Sequence, residues 1–312
     1  MGSFIMKRAG HGIVVLFGIS VFSFLLIHLI PGDPARMMLG DSASAEQIAQ
    51  LREQLGLNQP LVVQYMNYLS DVIRGDFGTS FRTGRPVLEE ILIRFPETAK
   101  LALAGMTIAI LVGVTLGILA AHFKDSYIDQ AITGFASLGL AIPSFWLGLM
   151  LIMIFSVTLG WLPVAGGTGF ADLILPSVTL GVLASTVIVR LTRSGMIDVL
   201  SLDFIRTAKA KGLGESAVLF GHAFRNAMIP VVTVVGLQIA SLLGGTVIIE
   251  QLFNWPGLGT LSIGAITTRD FPLLQGTILF IGIVFVTVNI MVDLLYGFID
   301  PRIKMGNAQE GN

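Results

Sequence analysis

Asp203-Phe204-Ile205-Arg206-Thr207-Ala208-Lys209-Ala210-Lys211-Gly212-Leu213 lies between two apolar runs, one ending at Val189 and the next beginning at Ala227. The segment continues to His222-Ala223-Phe224-Arg225-Asn226 and is basic, helix-forming and interrupted at Gly212 and Gly214. A charged interval between two membrane-length apolar runs reads as a loop joining two spans. Topology alone is one explanation of its charge, because basic residues in short loops fix membrane orientation. Its small residues, Thr207, Ala208 and Ala210, fit a further role, a helix lying on the bilayer and presenting itself to a partner.

Working outward, the 312 residues are 54% hydrophobic and only 12% charged. Soluble domains carry about 25% charged residues, so most of this chain belongs in lipid. Six stretches have the length and apolarity of spans, approximately 10–30, 99–121, 131–160, 173–195, 227–250 and 274–298. Pro143 and Pro230 are expected kinks. Gly113 and Gly117 are expected to let helix backbones approach closely. The Pro31-Gly32-Asp33-Pro34 sequence after the first run is not a small-x-small cleavage site, so that run is read as a retained span. Six spans put both termini on one side. Lys7, Arg8, Lys124, the basic group from Arg190 to Arg225, Arg302 and Lys304 share that side, and the positive-inside rule makes it cytoplasmic.

The division that follows is 1–30, amino terminus and first span; 31–98, an external helical cap; 99–300, a five-span core holding a cytoplasmic segment at 202–226; and 301–312, a cytoplasmic tail. Within the cap, Ser44 and Gln47 form a capping box ahead of a helix over 45–55, with Gly56 as its stop. Pro60 opens a second helix, with Val62, Tyr65, Leu69, Val72 and Ile73 three or four apart and Gly75 ending it. A third short helix is expected from Pro86 to Phe95.

Several chemistries are excluded. There is no Gly-x-x-x-x-Gly-Lys-Ser/Thr loop for nucleotide phosphates, no His-Glu-x-x-His and no Gly-x-Ser-x-Gly. His11, His28, His122 and His222 are scattered, and with no cysteine in the chain no metal site or thiol nucleophile is expected. A net charge of −1 gives no sign of nucleic-acid binding. Ion-coupled carriers need ionisable groups near the midplane. Here Glu250 and Asp293 fall near span ends, and Arg190 and Arg193 sit where they can snorkel. The neutral polar residues Ser144, Gln238, Ser241 and Asn289 are the candidates for lining a pathway, with interhelical hydrogen bonding as the alternative for each. The aromatic, Gly/Pro-rich loop around Asn254, Trp255, Pro256 and Gly257, with Arg269 and Asp270 beyond it, is expected to dip into the membrane or cap an outer vestibule, with a plain interfacial aromatic turn as the alternative.

Taken together, Pro31-Gly32-Asp33-Pro34, Gly75-Asp76-Phe77-Gly78, Arg206 to Gly212, Arg225-Asn226-Ala227-Met228-Ile229-Pro230, Trp255-Pro256-Gly257-Leu258-Gly259 and Asp300-Pro301-Arg302 resemble a known family. It is the permease subunits of bacterial ATP-binding-cassette importers, in the peptide, glutathione and nickel group. The resemblance covers nearly the whole chain and implies an all-α, six-span type I importer permease in the inner membrane. By that resemblance, Asp203, Arg206, Thr207, Ala208, Lys209, Ala210, Lys211, Gly212, Leu213, Arg225 and Asn226 form the segment that docks on an ATPase subunit. Arg206-Thr207-Ala208 stands where the wider family has Glu-Ala-Ala, and Gly212 matches its glycine.

The resemblance further implies a second permease chain, two ATPase subunits carrying the ATP and magnesium, an external solute-binding protein and surrounding lipid. This chain itself would hold no cofactor and catalyse no reaction. Asn254, Trp255, Pro256, Gly257, Arg269 and Asp270 would form the outer gate or the docking place of the binding protein. Dipeptides, oligopeptides, glutathione and nickel chelates are all compatible cargoes. A gradient-driven carrier, a scaffold and an intramembrane enzyme are the competing classes.

Overall fold

The computed structural model describes residues 2–29, 33–39, 43–54, 56–214 and 217–299, and among these the secondary structure is helical. Pro31, Gly32, Leu55, Glu215, the Asp300-Pro301-Arg302 sequence and the tail 301–312 lie outside the described residues. The helices are α1 (Gly2–Leu29), α2 (Pro34–Leu39), α3 (Ala45–Gln54), α4 (Leu61–Ile73), α5 (Val87–His122), α6 (Tyr127–Ala141) and α7 (Ser144–Leu151). They continue with α8 (Phe170–Leu200), α9 (Asp203–Ala210), α10 (Phe224–Gly245), α11 (Val247–Leu252), α12 (Leu258–Thr268) and α13 (Phe271–Ile299). Wider π-helical turns at Ile152–Thr158 and Ala217–Ala223 extend α7 and precede α10. Five helical stretches are long and apolar enough to cross a membrane, and six if the bent pair α6–α7 is one span.

That pair turns through 108°. Pro143 offers no N–H to continue α6, and Ile142 before it takes an extended conformation with ψ of 124. Pro230, by contrast, lies inside a continuous α10. The third cap helix is not separate. It runs on through Pro96 into α5, because Ile91, Thr98 and Leu101 on both sides of the proline are buried in tertiary contact and outweigh one lost backbone hydrogen bond. Span five likewise starts earlier than its apolar run, at Ala217.

The centre of the bundle is α5 lying parallel to α8. A Cβ on Gly113 would sit 2.6 Å from Ile188 Cβ, and one on Gly117 would sit 2.5 Å from Thr192 Cβ. The absent side chains are what bring the two backbones together, as expected for both glycines. α13 runs antiparallel to α1, with Val286 and Ile290 over Gly12 and Ile19 over Gly282, and Arg8 pairs with Asp293 at 3.2 Å. The molecule thus has two ends, one carrying α2–α4 (the cap end) and one carrying α9.

In the cap, the box at Ser44 forms as expected, with Ser44 N–H donating to Gln47 Oε1 at 2.9 Å and Gln47 N–H to Ser44 Oγ at 3.2 Å. Gly56 and Gly75 stop their helices with φ of 65 and 85, a conformation that favours glycine. The short helix α2 has no periodic signal of its own; the Asp33 carboxylate accepts the Ala35 N–H at its start.

Candidate functional site

α9 is eight residues long with Asp203 in its first turn, a favourable place for a negative charge at a helix N-terminus. Gly212, at φ +80, turns the chain out, and Leu213 N–H closes the last turn on Ala208 C=O at 3.4 Å. One side of the helix is buried. Ile205 is 1% exposed and Ala208 7%, packed with Ala121 of α5, Met196 of α8, Val218, Leu219 and Ala223 of the π-helical turn, and Ala227 of α10. Asp203, Arg206, Thr207 and Ala210 form the opposite, exposed side, flanked by Lys209 and Lys211. Arg225 and Asn226 are also exposed, and Asn226 Nδ2 donates to His222 C=O at 2.9 Å.

Ala208 therefore belongs to the chain's own core and does not lie on the face that a partner would meet. Its small size serves the fit of α9 onto α8 and α10. Beside it, a Cβ on Gly195 would lie 3.0 Å from Ala227 C=O, another close approach. Arg193 does not snorkel. Its guanidinium grips the Asp129 carboxylate bidentately, Nε to Oδ1 at 2.5 Å and Nη2 to Oδ2 at 2.6 Å, and ties α8 to the start of α6. Ser126 caps α6, accepting the Asp129 N–H. The Ser126-x-x-Asp129 spacing could have flagged this helix start.

At the cap end, the loop singled out from the sequence is mostly interior. Trp255, Gly257 and Asp270 are buried, Pro256 is half-buried, and Asn254 and Arg269 are exposed. Trp255 Nε1 donates to Glu97 C=O at 2.9 Å. Asp270 accepts from Ser80 Oγ at 2.5 Å and from the N–H groups of Phe81 and Arg82, so it pins the loop after α4 to the start of α13. These contacts leave neither Trp255 nor Asp270 for a docking partner.

The organising group is one the sequence placed only at a span end. Glu250 is fully buried, and its carboxylate accepts from Thr98 Oγ1 at 2.7 Å, Thr246 Oγ1 at 2.8 Å, Gly259 N–H at 2.6 Å and Thr260 N–H at 3.3 Å. It neutralises the N-terminal end of α12, an apolar helix too short to cross a membrane. A Cβ on Gly259 would stand 2.5 Å from Val247 Cα, which explains a glycine there.

Next to this core is an open cleft of about 450 Å³ lined by Arg82, Thr83, Arg94, Asn254, Thr260 and Thr268, among others. Among the described residues neither arginine makes an ion pair, and two arginines against the single carboxylate of Asp270 leave the cleft lining net positive. Ser144 lies on α7, Gln238 and Ser241 on α10, and Asn289 on α13. Gln238 Nε2 donates across to Ala184 C=O at 3.5 Å, Asn289 Nδ2 bonds within its own helix to Phe285 C=O, and none of the four lines this cleft.

Comparison with known proteins accords with this architecture. The family profile described as "Binding-protein-dependent transport system inner membrane component" matches residues 113–305, and that of the corresponding N-terminal region matches residues 1–102. The glutathione transport system permease protein GsiC of Salmonella typhimurium is 46% identical over 304 residues, covering 97% of this chain and 99% of that protein. GsiC of Escherichia coli K12 is 45% identical over the same extent. Among solved structures, the inward-facing MetNI methionine ABC transporter aligns with a TM-score of 0.59 at 14% identity, over 68% of this chain and 96% of that one. An amino acid ABC transporter crystallised with histidines aligns at 0.54 and 15% identity, over 73% and 97%. The chain belongs to the inner-membrane permeases of binding-protein-dependent, ATP-binding-cassette importers.

Proposed function

We propose that this permease carries peptides of the glutathione or dipeptide class inward by alternating access, and that α9 takes up the motion of an ATPase subunit. The observation that carries the reading is the two-sidedness of α9. Its inner side is packed against residues of α5, α8 and α10 together, so a displacement of α9 is felt by three spans at once. Its outer side offers the small Thr207 and Ala210 between charged neighbours, a surface that a groove on another protein can approach closely.

In this reading the α9 end is cytoplasmic, as is the amino terminus, supported by the basic residues gathered there: Arg8, Lys124, Arg190, Arg206, Lys209, Lys211 and Arg225. A second permease completes the pathway, a binding protein delivers solute to the cap end, and two ATPase subunits with their ATP and magnesium sit below α9. The cleft bearing Arg82 and Arg94 suits a solute that presents carboxylates, as short peptides and glutathione do. The named relatives being glutathione permeases supports the same class.

The test is Ala210→Glu in the assembled transporter. Uptake and binding-protein-stimulated ATP hydrolysis should fall at least about tenfold with the chain still present in the membrane. Full stimulation of hydrolysis in that variant would remove α9 from the coupling role.

A further inference from the structure

The helix α4 is not simply part of a water-exposed cap. Three side-chain bonds and three aromatic contacts fix it against α1. Gln64 Oε1 meets His28 Nε2 at 3.2 Å, Tyr68 Oη meets Ser23 Oγ at 3.1 Å, and Tyr65 Oη meets Ser20 Oγ at 2.9 Å. Phe24 packs edge-on to Tyr65 at 5.4 Å and tilted against Tyr68 at 5.8 Å between centroids; Phe17 also meets Tyr65, and the two tyrosines touch each other. Tyr68 also lies close to Gln275, one turn into α13.

These partners form a depth gauge. The apolar part of α1, Arg8–His28, is 21 residues long, about 31 Å, which matches the hydrocarbon thickness and puts His28 at its edge. Ser23 and Ser20 then lie about 7 and 12 Å inside that edge. Taken round α4 at about 100° per residue, Gln64 is followed by Tyr68 and then Tyr65. Their partners on α1 go deeper in the same order, His28, Ser23, Ser20. Continuing in that sense brings up Leu69, Val62, Ile73 and Met66, so this face looks further into the bilayer.

All four residues of that face are apolar. Val62, Met66 and Ile73 are 68%, 58% and 77% exposed, with Leu69 half-buried. Asn67, Asp71 and Arg74 occupy the other side, where Asn67 and Gln64 bond to Gln59 in the loop before the helix. One flank on a span, one apolar face downward and one polar face upward is the pattern of a helix lying in the membrane plane.

We infer that α4 is an in-plane membrane helix, with Val62, Met66, Leu69 and Ile73 set against the acyl chains of the leaflet at the cap end. The helix then widens the footprint of α1 in that leaflet and anchors the cap at a fixed height over the mouth of the bundle.

The chain has no cysteine, so single substitutions give single labelling sites. Val62→Cys, Met66→Cys, Ile73→Cys and, on the polar side, Asn67→Cys are labelled with bimane in the assembled transporter in phospholipid vesicles. The unsubstituted chain in the same complex gives the background. Acyl-brominated phospholipid should quench positions 62, 66 and 73 several-fold more than aqueous iodide does, with the order reversed at 67. Comparable iodide quenching at all four would show the helix standing in water and overturn the inference. Protection of 62, 66 and 73 from both quenchers would show a protein partner covering the face and overturn it equally. The three apolar positions report on one face, so loss of one variant to misassembly leaves the other two to decide.

Discussion

The outer loops at the cap end and the helix α9 at the opposite end are held by different forces. At the cap end, buried carboxylates do the joining: Glu250 accepts four hydrogen bonds and fixes α12 to α5, and Asp270 fixes the loop after α4 to α13. Such bonds are directional and short, and a displacement of even an ångström breaks them. At the other end α9 rests on Ile205 and Ala208 in an apolar socket, and among the described residues it makes no side-chain hydrogen bond to another element. Apolar contact is non-directional and allows small sliding and rotation at little cost. In the proposed coupling role of α9, the contrast is that between a fixed frame and a compliant handle. A gate worked from below needs its outer loops to keep their shape while its lower helices shift.

The sharpest way to break this contrast is to remove the frame's central acceptor. Glu250→Ala leaves two hydroxyls and two N–H groups without their acceptor in a buried site, each such loss costing about 1–3 kcal/mol. A fall in stability of about 4 kcal/mol or more is expected, read as thermal unfolding of the detergent-solubilised chain. Unchanged unfolding would mean that water or relaxed backbone replaces the carboxylate and that the cap end is no frame at all. A smaller effect is expected from Asp129→Ala. Removing one member of a largely buried bidentate pair is costly, but Arg193 is partly exposed and regains some water. About 2 kcal/mol is expected by the same measurement, and Asp129→Ala combined with Arg193→Met should recover part of it.

Much of the fold was legible in the sequence because span length, loop charge and caps are local signals. The capping box at Ser44, the glycine stops at Gly56 and Gly75, the break at Pro143 and the glycine contacts of α5 all follow from a few neighbouring residues. What was not legible depended on partners distant in the chain. Nothing local marks Pro96 as a proline within a helix, since the burial of Ile91 and Leu101 that carries the helix through it comes from other elements. Arg193 looked like a snorkelling residue until Asp129, on another helix, came within reach. Trp255 and Asp270 looked like surface recognition residues because aromatic and charged groups in a Gly/Pro-rich loop are usually exposed; here their partners, Glu97 and Ser80, lie far back in the sequence. For α9 the segment was evident, but eight residues carry too little periodicity to say which of its alanines faces inward.

That last ambiguity gives the smallest and most discriminating effect. Ala208 and Ala210 are two residues apart on one short helix, of the same size, and differ only in which way they point. Ala208→Leu forces three extra carbons into the socket formed by Met196, Val218 and Ala223, and overpacking of this kind costs about 1–3 kcal/mol. Ala210→Leu places the same carbons in the open and should leave thermal unfolding within about 0.5 kcal/mol of the parent chain. Both should impair coupled ATP hydrolysis, the first by displacing the handle and the second by blocking its approach. Equal stability of the two variants would mean that α9 is loosely seated and that its socket transmits no force. A loss of stability at Ala210 alone would mean that the helix is turned the other way round.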